Sequence, residues 1–217
     1  MKIAEALFEI GYLLIAFGLG LWLLRRRTYN AKLTGLATLI LGFGDAFHLI
    51  PRIAQAFDPA PDRTVALGLG KFVTSVTMAI FYLLLELARE DRRGGQDDPK
   101  NRRAGNVMFI LFLVRAALCF LPQNEWTSAN PPLLWGIIRN VPFVAMGVMT
   151  VVLWKRSGAG DRCYRFMPPA VSLSFLFYLP VVLLAGTVPA VGMLMLPKTL
   201  MYVWIMLMFY NAAHEKA

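Results

Sequence analysis

Seven apolar stretches of about 20 residues each run through this chain, at roughly residues 3–24, 33–53, 65–87, 106–121, 132–154, 166–185 and 190–210. A helix of about 18 or more apolar residues is long enough to cross a bilayer. Only helices and closed barrels satisfy every backbone hydrogen bond in lipid. These runs are too long and too continuous for barrel strands of about 10 alternating residues. The sequence therefore predicts an all-α integral membrane protein, a single domain of seven transmembrane helices spanning residues 1–217. With 58% hydrophobic residues and a mean hydropathy of +0.57, the chain exceeds the roughly 45–50% apolar content of soluble domains.

The net charge of +9 would suggest nucleic acid in a soluble protein. Here the basic residues sit in short loops between apolar runs, so no nucleic-acid partner is expected and the lipid bilayer takes its place. Fifteen of the 22 Lys and Arg residues fall on one side of the alternating runs, among them Arg25, Arg26, Arg27, Arg92, Arg103 and Arg165. Only Lys2 and Arg63 fall in loops on the other. Positive loops stay in the cytoplasm, which puts the N-terminus outside and the C-terminus inside, in the plasma membrane. The first run ends in Arg25-Arg26-Arg27 with no small-residue cleavage site, so it reads as a span and not as a cleavable signal.

The segment 89–105, rich in charge and glycine, reads as one long solvated cytoplasmic connection that could dock a partner. Trp22, Trp126, Trp135 and Trp154 lie near run ends, as an interfacial aromatic belt would. Cys119 falls in a run and Cys163 in a loop on the opposite side, so no disulfide between them is expected. No Cys/His pairing suggests a metal: His48 and His214 lie on opposite sides. No cofactor is expected.

Five basic residues remain inside the runs: Arg52, Lys71, Arg115, Arg139 and Lys198. Ionisable groups at such depths are costly and face a bundle interior or a wet cavity. At 1.5 Å per residue, Lys71 and Arg115 lie about 9 Å from the outer end of their runs, Arg139 about 10 Å and Lys198 about 12 Å. Asp45 lies about 12 Å in, His48 about 8 Å and Arg52 near the rim. Glu5, Glu9, Asn140, Tyr178 and Tyr202 fall near the same level. Asp45, His48 and Arg52, at i, i+3 and i+7, share one face of the second run, and Lys71 and Ser75, at i and i+4, share one face of the third. Pro51, Pro142, Pro180 and Pro197 each free a carbonyl one turn back, and their kinks would widen a cavity. The inner half carries almost no charge.

These features predict a polar pocket open to the outside above an apolar plug, lined by Glu9, Asp45, His48, Arg52, Lys71, Arg115, Arg139, Asn140, Tyr178, Lys198 and Tyr202. With five cations against Glu5, Glu9 and Asp45, the pocket carries a surplus of positive charge. That surplus favours an anionic or amphiphilic small molecule or a lipid headgroup, and with it a receptor, sensor or small carrier. Structural pairing, of Asp45 with Lys198 or Lys71 and of Glu9 with Arg52 or Arg139, is the simpler alternative.

A second reading is an intramembrane lipid hydrolase, with Asp45 orienting His48 as general base and Ser75 activated by Lys71. A third is a retinal-type photoreceptor through Lys198 in the seventh run. Against it, Lys71 stands in the third run, where a carboxylate counterion would be wanted.

Overall fold

The computed structural model describes residues 2–94, 99–157 and 161–215. Helices α1 (Lys2–Leu24), α2 (Tyr29–Phe57), α3 (Thr64–Arg92), α4 (Pro99–Phe120), α5 (Leu133–Ser157), α6 (Met167–Leu184) and α7 (Met195–Glu215) follow one another with no strand among the described residues. All seven are long and apolar enough to cross a membrane.

Each helix packs on its sequence neighbours, and α7 closes the ring on α1 while α2 and α3 also reach across to α7 and α5. One end of the bundle, here called upper, carries the start of α1 and the α2–α3, α4–α5 and α6–α7 connections. The lower end carries the arginine-rich turns. Large apolar side chains such as Leu14, Phe120, Leu134 and Leu176 face outward, each more than 60% exposed, a surface that soluble monomers rarely show as a continuous band.

Local chemistry sets the helix ends. The Thr28 hydroxyl caps α2 by accepting from the Ala31 N–H at 3.4 Å. Asp62 accepts from the Thr64 N–H and hydroxyl at the start of α3. α2 and α3 form the tightest pair, because glycines replace side chains where they cross. A Cβ on Gly44 would strike Thr77, and one on Gly70 would strike the backbone of Phe47 and His48. The Thr74 hydroxyl, one turn from Gly70, donates to the Gly44 carbonyl at 2.8 Å. Small residues at such crossings let backbones approach and polar groups bridge them.

Several expectations change at the helix ends. The long loop expected at 89–105 is mostly helical: α3 continues to Arg92 and α4 begins at Pro99. Residues 95–98 lie outside the described residues. Arg89 is not a solvated loop residue. It is 1% exposed and holds the equally buried Glu86 at 2.6 Å, because an i, i+3 pair on an inward face leaves neither charge alone. Trp154 is buried against Tyr164 instead of sitting in an interfacial belt. The seventh run opens as a 3-10 turn, Pro189–Leu194, before α7 proper. Pro197 therefore lies in the first turn of α7, where a missing N–H breaks no helical bond, and makes no mid-helix kink.

Candidate functional site

The polar side chains of the upper half separate into three groups, each made by a different set of helices. Between α1 and α2, Arg52 ties both glutamates: its Nη2 lies 3.3 Å from Glu5 and its Nε 3.1 Å from Glu9. Glu5, Glu9 and Tyr12 are spaced i, i+4 and i+7, which places all three on the α1 face toward α2. Of the pairings anticipated from sequence, Glu9 with Arg52 forms. A cavity of about 210 Å³ opens here, lined by Glu5, Ala6, Glu9, Arg52, Gln55 and Ala56.

One turn deeper, the Tyr12 hydroxyl donates to Asp45 Oδ2 at 2.6 Å. Asp45 also feels the charge of Lys198, one of the two partners anticipated for it; neither Asp45 with Lys71 nor Glu9 with Arg139 forms an ion pair among the described residues. Lys198 is buried, with its Nζ 4.7 Å from the centre of the Tyr178 ring and 5.5 Å from that of Tyr202. Aromatic faces offer a desolvated ammonium partial compensation. Tyr202 in turn meets Tyr82 across the bundle, hydroxyl to hydroxyl at 3.4 Å. Lys198 does not line the α1–α2 cavity.

The third group lies between α3, α4 and α5. Arg115 is 1% exposed. Its Nε donates to the Ser75 carbonyl at 2.9 Å, and its Nη1 to the Arg139 carbonyl and Asn140 Oδ1, both at 3.0 Å. Its guanidinium lies 4.0 Å from the centre of the Phe143 ring. The Tyr178 hydroxyl donates to the same Asn140 oxygen at 2.8 Å. Arg139 donates to Asn124 Oδ1 at 2.8 Å and covers Trp126. Asn124 is fixed in its turn by donating to the Leu118 and Leu121 carbonyls. Lys71, exposed one turn above Ser75, lies close enough to Arg139 for their charges to interact. Among the described residues no carboxylate pairs with Arg115, Arg139 or Lys71.

The sequence-derived residues are thus brought to one end of the bundle, in three groups of contacts. Asp45 and His48 make no hydrogen bond to each other; Asp45 is held by Tyr12, and His48 Nδ1 is buried without a partner. The Ser75 hydroxyl donates to the Lys71 backbone carbonyl at 2.7 Å, the ordinary behaviour of serine inside a helix. Sequence reasoning missed Tyr12, Asn124, Trp126 and Tyr82. Tyr12 carried a signal, the heptad step from Glu5; Asn124, in a short 3-10 turn, carried none.

At the lower end Arg92 grips Asp161 at 2.7 Å and Glu215 at 2.6 Å, and the Cys163 thiol donates to Glu215 at 3.2 Å. Asp161, Cys163 and Glu215 bring their ligand atoms within 4.8 Å of one another, and Arg92 already pairs with both carboxylates. Burial, reinforced by the Glu215 carboxylate, pushes the Cys163 thiol up to about 11. Asp45, His48 and Glu9 form no such group among the described residues.

Comparison with protein-family models, with curated proteins and with solved structures gives no match.

Proposed function

We propose that the protein is a multi-pass plasma-membrane protein, N-terminus outside, that binds an anionic or amphiphilic small molecule or a lipid headgroup as a receptor, sensor or small carrier. One observation carries the reading: Arg115, Arg139 and Lys71 crowd one sector of the upper end with no carboxylate paired to them among the described residues. A buried guanidinium without counter-charge is expensive. Backbone and amide oxygens satisfy the Arg115 donors, yet they supply dipoles and no net negative charge. An anion lying over Lys71 and Arg139 would supply it, with Arg offering a two-pronged contact and Lys a point charge.

The excess of positive loops at the lower end supports an upper end that faces outside. The exposed apolar surface supports a lipid surround. The hydrolase reading lacks comparable support, because neither its Asp–His nor its Ser–Lys pair is joined. Incubating the purified protein with a lipid extract and weighing what it retains tests the proposal. An unchanged acidic amphiphile held by the protein is expected; release of a cleaved product would contradict it.

A further inference from the structure

We infer that the α1–α2 cavity is a second site, which takes a small zwitterion: an ammonium group on Glu5 and Glu9, and its attached anion on Arg52. The site shares no residue with the Arg115 sector and does not rest on the anion reading.

Charge comes first. Two carboxylates against one guanidinium leave the cavity formally one negative charge in surplus, and Glu9 is only 5% exposed. A single guanidinium divided between two acids leaves each carboxylate short of a full partner, so an ammonium beside Glu5 and Glu9 gains local ion pairs there. Nearby Lys198 does not serve, since it stands against Asp45 a turn deeper.

Hydrogen bonding adds the anion preference. Arg52 carries five donors. Its Nε and Nη2 face the glutamates, while Nη1 has no partner among the described residues. Gln55, lining the same cavity, brings an amide that is likewise uncommitted among the described residues. A ligand with an anionic group a few bonds from its ammonium uses both halves without breaking the existing pairs. A plain cation leaves the free Arg52 donor and the amide unused, and a plain anion meets two carboxylates.

Size fits as well. The cavity of about 210 Å³ equals the liquid volume of about seven waters. That accommodates a phosphoethanolamine group. The same chemistry can come from a free zwitterion or from the headgroup of phosphatidylethanolamine.

The test uses the full chain, purified in detergent and separately in nanodiscs of phosphatidylglycerol doped with phosphatidylethanolamine. Calorimetric titration compares phosphoethanolamine, ethanolamine and inorganic phosphate, and native mass spectrometry reads which lipid stays bound. Phosphoethanolamine is expected to bind at least about tenfold tighter than either half alone, the worth of one charge-assisted contact. Glu9→Gln is expected to lose that advantage. The double variant Glu9→Gln/Arg52→Gln removes the buried carboxylate together with its guanidinium and leaves only the partly exposed Glu5, so it stays folded, as its melting will check, and loses binding too. Enrichment of phosphatidylethanolamine identifies the lipid as the source; titration without enrichment identifies the free zwitterion. The inference is overturned if ethanolamine or phosphate alone binds as well, if no probe binds in either format, or if the folded double variant binds like the wild type.

Discussion

The Tyr12 hydroxyl and the Asp45 carboxylate meet at 2.6 Å in the interior of the bundle, joining α1 to α2 beside the buried Lys198. This contact sits between the α1–α2 cavity above and the tyrosine-lined interior beside it. It sets an order of severity for two substitutions. Tyr12→Phe removes one donor and is expected to cost about 1–3 kcal/mol. Asp45→Asn strands Lys198 without its counter-charge and is expected to cost more, about 3–5 kcal/mol. Thermal unfolding of the two variants in detergent checks the order; a Tyr12→Phe effect as large as that of Asp45→Asn would contradict it.

The α2–α3 crossing makes a second prediction. Gly70 lies against the backbone of Phe47 and His48, which cannot rotate away as a side chain could. Gly70→Ala is expected to destabilise the protein by about 1–3 kcal/mol by forcing the helices apart. Gly18→Ala, where a Cβ meets nothing, is expected to have no such effect. A similar melting temperature for both variants would refute the close approach.

Chemical reactivity tests the lower end. With the Cys163 thiol pushed up to about 11, only a small fraction is thiolate at neutral pH. Its alkylation rate is expected to rise roughly tenfold per pH unit from pH 7 to 10, with no plateau in that range. Glu215→Gln removes a neighbouring negative charge and is expected to speed the reaction at pH 8. A plateau near pH 9, with no response to Glu215→Gln, would place the thiol in an ordinary environment.

Orientation is tested by labelling. Cysteines introduced at Ala60 and Ser128, in the upper loops, are expected to react with an impermeant maleimide on intact cells, while one introduced at Arg27, exposed in a lower turn, does not. The reverse pattern would turn the bundle over and open its polar end to the cytoplasm.

Much of this fold was legible in the sequence because each helix must carry its own apolar length: all seven appear near their expected places. What the apolar runs could not supply is where the helices stop. Arg89 and Glu86 satisfy each other inside the bundle, so α3 runs a turn past its apolar run. The opening of the seventh run tightens into a 3-10 turn, so Lys198 sits nearer the helix start than expected. The site was legible by depth and not by partner. Spacing puts Asp45, His48 and Arg52 on one face of α2, but only packing decides that Arg52 meets the α1 glutamates while Asp45 meets Tyr12 of the same helix and the charge of Lys198 on α7. The charge surplus foreseen across the whole upper end is therefore concentrated in Lys71, Arg115 and Arg139.

That concentration is most directly tested by retention of an acidic amphiphile, measured by native mass spectrometry on wild type, Arg139→Gln and Val152→Ala. The last lies in the lower half of α5. Arg139→Gln is expected to lose about tenfold or more of the retained ligand, as the loss of a charged contact implies, while Val152→Ala keeps it. Equal retention by all three, or none by the wild type, would contradict a cationic binding site at the upper end.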